Sequence, residues 1–349
     1  MPSVTIDTCV LAAPPSSADR LAIIEYVETL LDWKKLLSEP WVAIYMNEKS
    51  AEAMIESGVY PLRQALRRLF SEKGILEYDA NTVCLLVDEL LRLTPSFETY
   101  FALKDILITD VATAPNLLGV HTDIRLSTEL ARSLVLIAIL RSHCRKPITD
   151  HNLVVKPWAG TTLVQVQALV HDVEFYRDDM NPLPKPPEIY QGDVLVCQNF
   201  RELILNLDEL AIWRSAEDVI GLELATKIAV YKSRIHQGQE PNWDEITGFR
   251  FGCEFYAYQV SSCQANPENF VDRLLRSLVE TIDNQNLADV HALRTSNSGN
   301  APQRMRGQDK AWRRDIDREY HLHYWGCSDG MIEFATVAVH NMFEIPECL

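Results

Sequence analysis

Several motifs that would identify a protein class at once are missing from this sequence. No P-loop, no Gly-x-Gly-x-x-Gly and no Gly-x-Ser-x-Gly motif occurs in its 349 residues, which argues against nucleotide-driven motors, dinucleotide enzymes and serine hydrolases of familiar type. No apolar run approaches the roughly 20 residues that cross a bilayer, and residues 1–15 contain no Lys or Arg. We therefore expect a soluble, cytoplasmic protein without a membrane partner.

Cysteine pairs at metal-binding spacing are also missing. The 8 cysteines are scattered and no Cys-x-x-Cys occurs, which excludes a zinc ribbon. A disulfide scaffold is not expected in a chain of this length without an export signal. We expect reduced, buried thiols.

Positive charge is scarce, with 33 Lys and Arg against 49 Asp and Glu and a net charge of −16. Such a balance argues against a protein that coats nucleic acid with its whole surface. The one strong local excess is Arg304–Arg318, where 6 basic residues stand against 3 acidic ones. Any nucleic-acid contact is therefore expected there.

The pattern of apolar residues predicts three regions, at 1–147, 148–243 and 244–349, and a fold that combines α/β and α+β parts. In the first region, Ser3–Asp7 and Leu117–Asp123 have the pattern of short strands that end in an acid and precede helices. This pattern predicts an α/β domain in which the two strands are neighbours in a largely parallel sheet. The second region is mixed and includes a proline-rich segment.

The third region has the order of a helix followed by an antiparallel sheet. Apolar residues at helical spacing predict a helix over Glu268–Asp283 that packs on the sheet through Phe270, Leu274 and Leu278. Three strands are then predicted, with a Ser328-Asp329-Gly330 turn that joins the last two as a hairpin. The predicted strands are Lys310–Asp317, Tyr320–Trp325 and Met331–His340.

The first region resembles a PIN-like nuclease domain in Val4-Thr5-Ile6-Asp7-Thr8 and in Leu118-Gly119-Val120-His121-Thr122-Asp123. PIN domains cluster carboxylates around a divalent metal that activates water against a phosphodiester. The resemblance implies Mg²⁺ or Mn²⁺ at Asp7, Asp105 and Asp123, with Glu89 as a further helical candidate. The alternative is that each acid only caps a helix.

The third region resembles the RelE/ParE superfamily of small toxin ribonucleases, in particular its YoeB-like branch. The resemblance lies in Arg304-Met305-Arg306-Gly307, Trp312-Arg313-Arg314-Asp315-Ile316 and Tyr320-His321-Leu322-His323-Tyr324, followed by a strand that ends at His340. It implies a RelE-like antiparallel sheet and RNA or the ribosome as a partner. It also implies a role in a bacterial toxin or anti-phage defence system.

The family chemistry needs no metal, because a base, a cation and an acid act directly on the RNA. By position, Arg314 would stabilise phosphate charge and His340 would act as the acid or base, with His321 as the third catalytic candidate. Arg304, Arg306, Lys310 and Arg313 would bind the nucleic acid. His321 stands where relatives have Arg, and Asn341 where Tyr often follows.

Other interpretations of these residues remain open. A mixed basic and acidic run is typical of a solvated strand edge, and His321 with His323 and His340 has the pattern of a His-x-His metal site. His171-Asp172, with His151 and Asp178, invites comparison with HD phosphohydrolases. A noncatalytic subunit that binds a partner protein is the alternative to the nuclease.

Overall fold

A computed structural model describes residues 1–121, 123–145, 148–183, 185–257, 269–298 and 300–347. The chain divides into two units, Met1–Leu207 and Asp208–Leu349. The predicted boundaries at 147 and 243 do not coincide with this division. Strands after residue 148 hydrogen-bond to strands of the first region, so 148–207 completes the first unit.

The first unit contains six strands and eight α-helices among its described residues. In chain order they are β1 (Ser3–Ile6), α1 (Thr8–Leu11), α2 (Arg20–Leu36), β2 (Ala43–Met46), α3 (Ser50–Glu56), α4 (Arg63–Lys73), α5 (Ala80–Leu93), α6 (Phe97–Tyr100), β3 (Leu103–Ala114), α7 (Ile124–His143), β4 (His151–Val154), β5 (Leu163–Phe175), β6 (Glu188–Cys197) and α8 (Phe200–Asn206).

The six strands form one sheet in the order β2-β1-β4-β6-β5-β3. The first four are parallel to one another, whereas β5 is antiparallel to both β6 and β3. Helix α7 packs on the sheet and buries nearly every residue from Leu130 to Leu140. The Val-Gln-Val-Gln alternation predicted a strand at Leu163–Leu169, and β5 confirms it.

The prediction of a strand at Leu117–Asp123 beside β1 is wrong. Leu118–Val120 forms a 3₁₀ turn, and β1 is flanked by β2 and β4. Leu117 is fully buried in the apolar core, and Thr113 Oγ1 accepts a hydrogen bond from its backbone N–H. These contacts end the extended segment before residue 117. Leu117 therefore packs in the apolar core instead of beginning a strand.

The second unit contains three α-helices and six strands among its described residues. They are α9 (Glu209–Ser215), α10 (Val219–His236), β7 (Phe249–Phe251), α11 (Phe270–Ile282), β8 (Val290–Ala292), β9 (Met305–Arg306), β10 (Asp309–Asp315), β11 (Tyr320–Gly326) and β12 (Ile332–Val339). Its sheet has the order β7-β12-β11-β10-β8, and β9 pairs with β10.

The predicted meander of the third region is confirmed. Strands β10, β11 and β12 pair antiparallel in sequence order, and Gly330, at φ 87°, occupies the tight turn between the last two. Helix α11 buries the predicted apolar side, and its Phe270 ring meets Tyr320 of β11 edge-on at 5.0 Å. The start of the predicted helix at Glu268 lies outside the described residues.

Two further expectations concern cysteine and the membrane. Cys9, Cys84, Cys144, Cys197 and Cys327 are free thiols, but Cys253 takes part in a disulfide bond, which corrects the expectation for that residue. None of the described helices is long and apolar enough to cross a membrane.

Candidate functional site

Histidine and arginine side chains gather on one face of the second unit's sheet. Alternate residues of a strand share a face, and the register places Arg313 opposite His323 and Asp315 opposite His321. We call this surface the histidine face and define it by Arg313, Asp315, His321 and His323. Trp325 continues the same face along β11.

A series of polar side chains runs from Asp315 to His340. His321 Nδ1 lies 2.8 Å from Asp315 Oδ1, and His321 Nε2 lies 2.9 Å from His340 Nδ1. On chemical grounds the carboxylate favours the proton on Nδ1 of His321, whose Nε2 then accepts from His340. Nε2 of the exposed His340 therefore carries a lone pair and can accept a proton.

Burial keeps the two strand histidines neutral. It lowers the pKa of His321, although the attraction of Asp315 opposes the shift. Burial also lowers the pKa of His323 to about 4, although the Glu344 carbonyl opposes the shift. A neutral His321 can stabilise a positive charge that forms on His340, because its Nε2 accepts a hydrogen bond.

Two arginines on this face are free of partners. Within the described ranges, the Nε atoms of Arg304 and Arg313 are buried without a hydrogen bond, and neither guanidinium has an ion pair. Both arginines act electrostatically on His323. Arg304 pairs with Ala311 through their backbones, so it extends over the same face. Unpaired cations beside neutral histidines form a surface that favours an anion.

Arg314 does not have the role that its position predicted. Its side chain is fully buried on the opposite face, where it pairs with Glu280 Oε2 at 3.0 Å. It also donates to the carbonyl oxygens of Glu280, Gln285 and Asn286. These groups occupy both terminal nitrogens of its guanidinium, although its Nε has no hydrogen-bond partner among the described residues. Arg314 is therefore a structural residue that joins β10 to the end of α11.

Two of the predicted nucleic-acid contacts are also displaced. Arg306 pairs with Glu333 at 2.6 Å and with Asp309 at 3.1 Å, and its guanidinium lies over the Trp325 ring. Lys310 is exposed, but the period of two places it on the face opposite Arg313. Lys310 and Arg314 thus lie on the opposite face and Arg306 is held by ion pairs, so Arg304 and Arg313 are the members of the predicted cluster that lie beside the histidines without an ion pair among the described residues.

The chain after β12 folds back over the inner part of the histidine face. The Glu344 carbonyl lies 3.2 Å from His323 Nδ1, and Trp325 Nε1 donates to the Pro346 carbonyl at 3.0 Å. Ile345 packs in an apolar cluster with Trp325, Leu293 and Ala335. His323 is therefore covered, while His340 stays exposed at the start of this segment.

A second polar cluster lies in the first unit, at the carboxyl end of β1. Asp7 follows β1 directly, Cys9 lies in α1, and His121 follows the 3₁₀ turn before α7. Cys9 Sγ is 3.1 Å from His121 Nδ1, and His121 Nε2 is 3.3 Å from Asp7 Oδ2. One ligand atom from each residue lies within 4.8 Å of the other two.

The position of this cluster in the sheet is typical of a ligand site. Strands β1 and β4 are adjacent and parallel, while the chain leads from β1 to β2 on one side and from β4 to β5 and β6 on the other. Open α/β sheets bind ligands at the carboxyl ends of strands where the order reverses in this way. Lys156, two residues beyond β4, acts electrostatically on Asp7 and Cys9.

Burial determines the protonation of the cluster. It raises the pKa of the Cys9 thiol, and the negative charge of Asp7 raises it further. Burial lowers the pKa of Lys156, although Cys9 and Asp7 oppose the shift. Without a bound cation, Cys9 is therefore a neutral thiol rather than a reactive thiolate.

The other predicted metal ligands do not join Asp7. Asp105 is exposed on β3, four strands from β1 in the sheet, which is about 19 Å at the usual strand spacing. Asp123 caps α7 and accepts a hydrogen bond from Ser57 Oγ at 2.7 Å. Glu89 pairs with Lys34. The predicted centre of three carboxylates for Mg²⁺ or Mn²⁺ is therefore not assembled.

The HD interpretation fails for a similar reason. His151 lies on β4 and His171 on β5, with β6 between the two strands. His151 is fully buried and hydrogen-bonds to Ser3 Oγ at 2.7 Å and Thr5 Oγ1 at 2.9 Å. It is a structural histidine.

Sequence reasoning missed Asp315, Cys9, His121 and Lys156. A signal existed for Asp315, because a tight turn between β10 and β11 sets the register that places it opposite His321. Cys9 and His121 are 112 residues apart and lie outside the strands, so no spacing rule connects them.

Comparison of the chain with family models, with curated proteins and with solved structures finds no match.

Proposed function

We propose that the second unit cleaves RNA without a metal ion, with His340 as the proton-transfer residue. The array of Asp315, His321 and His340 carries this proposal, because behind an exposed basic nitrogen lie a buried histidine and a half-buried carboxylate that stabilise a positive charge. The free guanidinium of Arg313, on the same face, is suited to stabilise a phosphate.

The reaction is a transfer of the phosphoryl group within the RNA. His340 Nε2 takes the proton of a 2′-hydroxyl, the 2′-oxygen attacks the adjacent phosphorus, and the bond from phosphorus to the 5′-oxygen breaks. His340 then gives the proton to the leaving 5′-oxygen, as one histidine can serve as base and acid in turn. The products are a 2′,3′-cyclic phosphate and a 5′-hydroxyl, with no net change in protons.

The other residues of the face act around this step. Asp315 and His321 stabilise the imidazolium that forms on His340, because the carboxylate is negative and His321 Nε2 accepts a hydrogen bond. Arg313 and Arg304 stabilise the charge that grows on the phosphate oxygens. Arg313 thus takes the role that the sequence assigned to Arg314.

The test uses the full chain, single-stranded RNA and EDTA, with products resolved on a denaturing gel and their ends identified by mass spectrometry. His340→Ala is expected to lower the cleavage rate by about 10²–10⁴-fold, the usual contribution of a general base. Arg313→Ala should lower it more than it lowers RNA binding. RNA with a 2′-deoxy group at the cleaved position should stay intact.

Two control variants make the test specific. Lys310→Ala removes an exposed cation on the opposite face, and His236→Ala removes an exposed histidine of α10. Both should cleave at the wild-type rate. If His340→Ala cleaves like wild type, or if no RNA is cut with or without ribosomes, the proposal is wrong.

A noncatalytic role in binding a partner protein is the competing function. The covering of His323 and Trp325 by residues 344–346 favours it, since a covered surface admits no RNA base. If neither the wild-type chain nor any variant cleaves RNA or binds it stably, the result would support this role.

A further inference from the structure

We infer that Asp7, Cys9 and His121 in the first unit bind a zinc ion. The three side chains offer one carboxylate oxygen, one thiol sulfur and one imidazole nitrogen, all within 4.8 Å of one another. Sulfur and nitrogen donors favour Zn²⁺, whereas Mg²⁺ and Mn²⁺ favour oxygen. This site is independent of the proposed RNA cleavage by the second unit.

The spacing of the donor atoms fits a tetrahedral ion. With the usual zinc bond lengths, two ligand atoms at a tetrahedral angle lie about 3.5 Å apart. An imidazole ring gives an ion one nitrogen, and each nitrogen of His121 has one other donor nearby: Cys9 Sγ is 3.1 Å from Nδ1, and Asp7 Oδ2 is 3.3 Å from Nε2. One donor atom from each of the three residues lies within 4.8 Å of the other two, so the side chains would close together around one ion and leave a fourth position for water.

Burial and unused hydrogen-bonding capacity give the second argument. Asp7 and Cys9 are each 2% exposed, and the buried Nε2 of His121 has no hydrogen-bond partner in the described part of the chain. A buried polar atom without a partner costs free energy, which a metal bond to the ring would offset. His121 Nε2 is therefore the group of this cluster whose hydrogen-bonding capacity a metal ion would use.

The charges balance when zinc is bound. The ion displaces the thiol proton of Cys9, which passes to solvent, and a sulfur–zinc bond forms. The thiolate and the Asp7 carboxylate then neutralise the two positive charges of the ion. The cation of Lys156 acts on Asp7 and Cys9, and it opposes the ion electrostatically. Lys156→Gln should therefore tighten zinc binding.

Zinc binding is measured on the full chain after treatment with a chelator. Zn²⁺ is titrated against a chromophoric chelator, and the bound metal is counted by mass spectrometry. We expect one zinc per chain in wild type. Cys9→Ser and His121→Gln should each weaken binding by more than the roughly 10–100-fold that loss of an outer-shell partner costs. Co²⁺ should give a thiolate-to-metal absorption band that Cys9→Ser removes.

Matched variants separate this site from the rest of the molecule. Cys84→Ser changes another free thiol, and Asp123→Asn keeps a helix-capping side chain beside the cluster. His340→Ala tests whether zinc binds the histidine face instead. All three should bind zinc like wild type. Far-UV circular dichroism shows which variants fold. If Cys9→Ser does not fold, zinc binding by His121→Gln decides the outcome.

Three results would overturn the inference. The first is less than stoichiometric zinc in wild type, and the second is full zinc retention in both Cys9→Ser and His121→Gln. The third is rapid alkylation of Cys9 by iodoacetamide at neutral pH whether or not zinc is added. That last result would identify a thiol nucleophile paired with His121 in place of a metal site.

Discussion

Each unit buries a histidine within its sheet, but the two histidines differ in their hydrogen bonds. In the first unit, both ring nitrogens of His151 bond to hydroxyls, those of Ser3 and Thr5. In the second unit, His323 contacts one carbonyl through Nδ1, while its Nε2 is buried without a partner among the described residues. Both side chains are fully buried, so exposure does not distinguish them.

The difference separates residues that hold the fold from residues left free to act. Buried polar groups with all their hydrogen bonds made are structural, whereas unpartnered ones are costly and call for a functional reason. Adjacent residues of β10 show the same contrast, since Arg314 is tied to Glu280 and three carbonyls while Arg313 has no ion pair with any described residue. The histidine face and the Asp7 cluster both belong to the unpartnered group.

The largest expected effect comes from Arg314. Arg314→Ala leaves Glu280 and several carbonyl oxygens without their partner, so we expect the free energy of unfolding of the second unit to fall by about 3–5 kcal/mol. Hydrogen exchange of peptides from β10–β12, measured across a urea series, gives this value for the second unit. The matched variant is Arg313→Ala, which should change it by less than about 0.5 kcal/mol.

Equal losses in the two arginine variants would contradict the distinction between structural and free side chains. A larger loss in Arg313→Ala would mean that the free arginine, rather than the paired one, stabilises the sheet. The RNA assay complements this measurement, because Arg313→Ala should fold normally and still lose cleavage.

The next effect is the pH dependence caused by His323. Burial lowers its pKa to about 4 in the folded chain, against about 6.5 when unfolded. As pH falls from 6.5 to 4, the unfolded state binds a proton that the folded state does not, so stability falls by about 3 kcal/mol and then levels off. His323→Asn should flatten this part of the curve in β10–β12. An unchanged slope would show that His323 is not the group responsible.

The position of the strands could be predicted from the sequence, but the faces of their residues could not. The sequence predicted strands at β10, β11 and β12 and a hairpin between the last two, and the structure confirms them. The role assigned to Arg314 required it to share a face with His321. An error of one residue in register moves a side chain to the other face, and Arg314 in fact lies opposite Leu322.

The Asp7 cluster shows a different limit. The sequence predicted a strand that ends at Asp7, and in the structure Asp7 directly follows β1, at the carboxyl end of that strand. The partners of Asp7 come from a one-turn helix and from a loop after a 3₁₀ turn, neither of which has a periodic pattern. Long-range packing brings His121 to Cys9, and a sequence pattern carries no information on such packing.

The smallest effect tests the satisfied histidine of the first unit. Thr5→Val keeps the shape of a fully buried side chain but removes its hydrogen bond to His151, so we expect a loss of about 1 kcal/mol in the free energy of unfolding. Thr109 forms an equivalent hydrogen bond with His171, at 2.8 Å, on an exposed part of β3. Thr109→Val should cost less than about 0.5 kcal/mol, because water replaces the lost partner.

Hydrogen exchange of peptides from β1 and β4 measures the first variant, and peptides from β3 and β5 the second. If the two variants lose equal stability, burial does not control the value of these hydrogen bonds, and the contrast between His151 and His323 loses its physical basis.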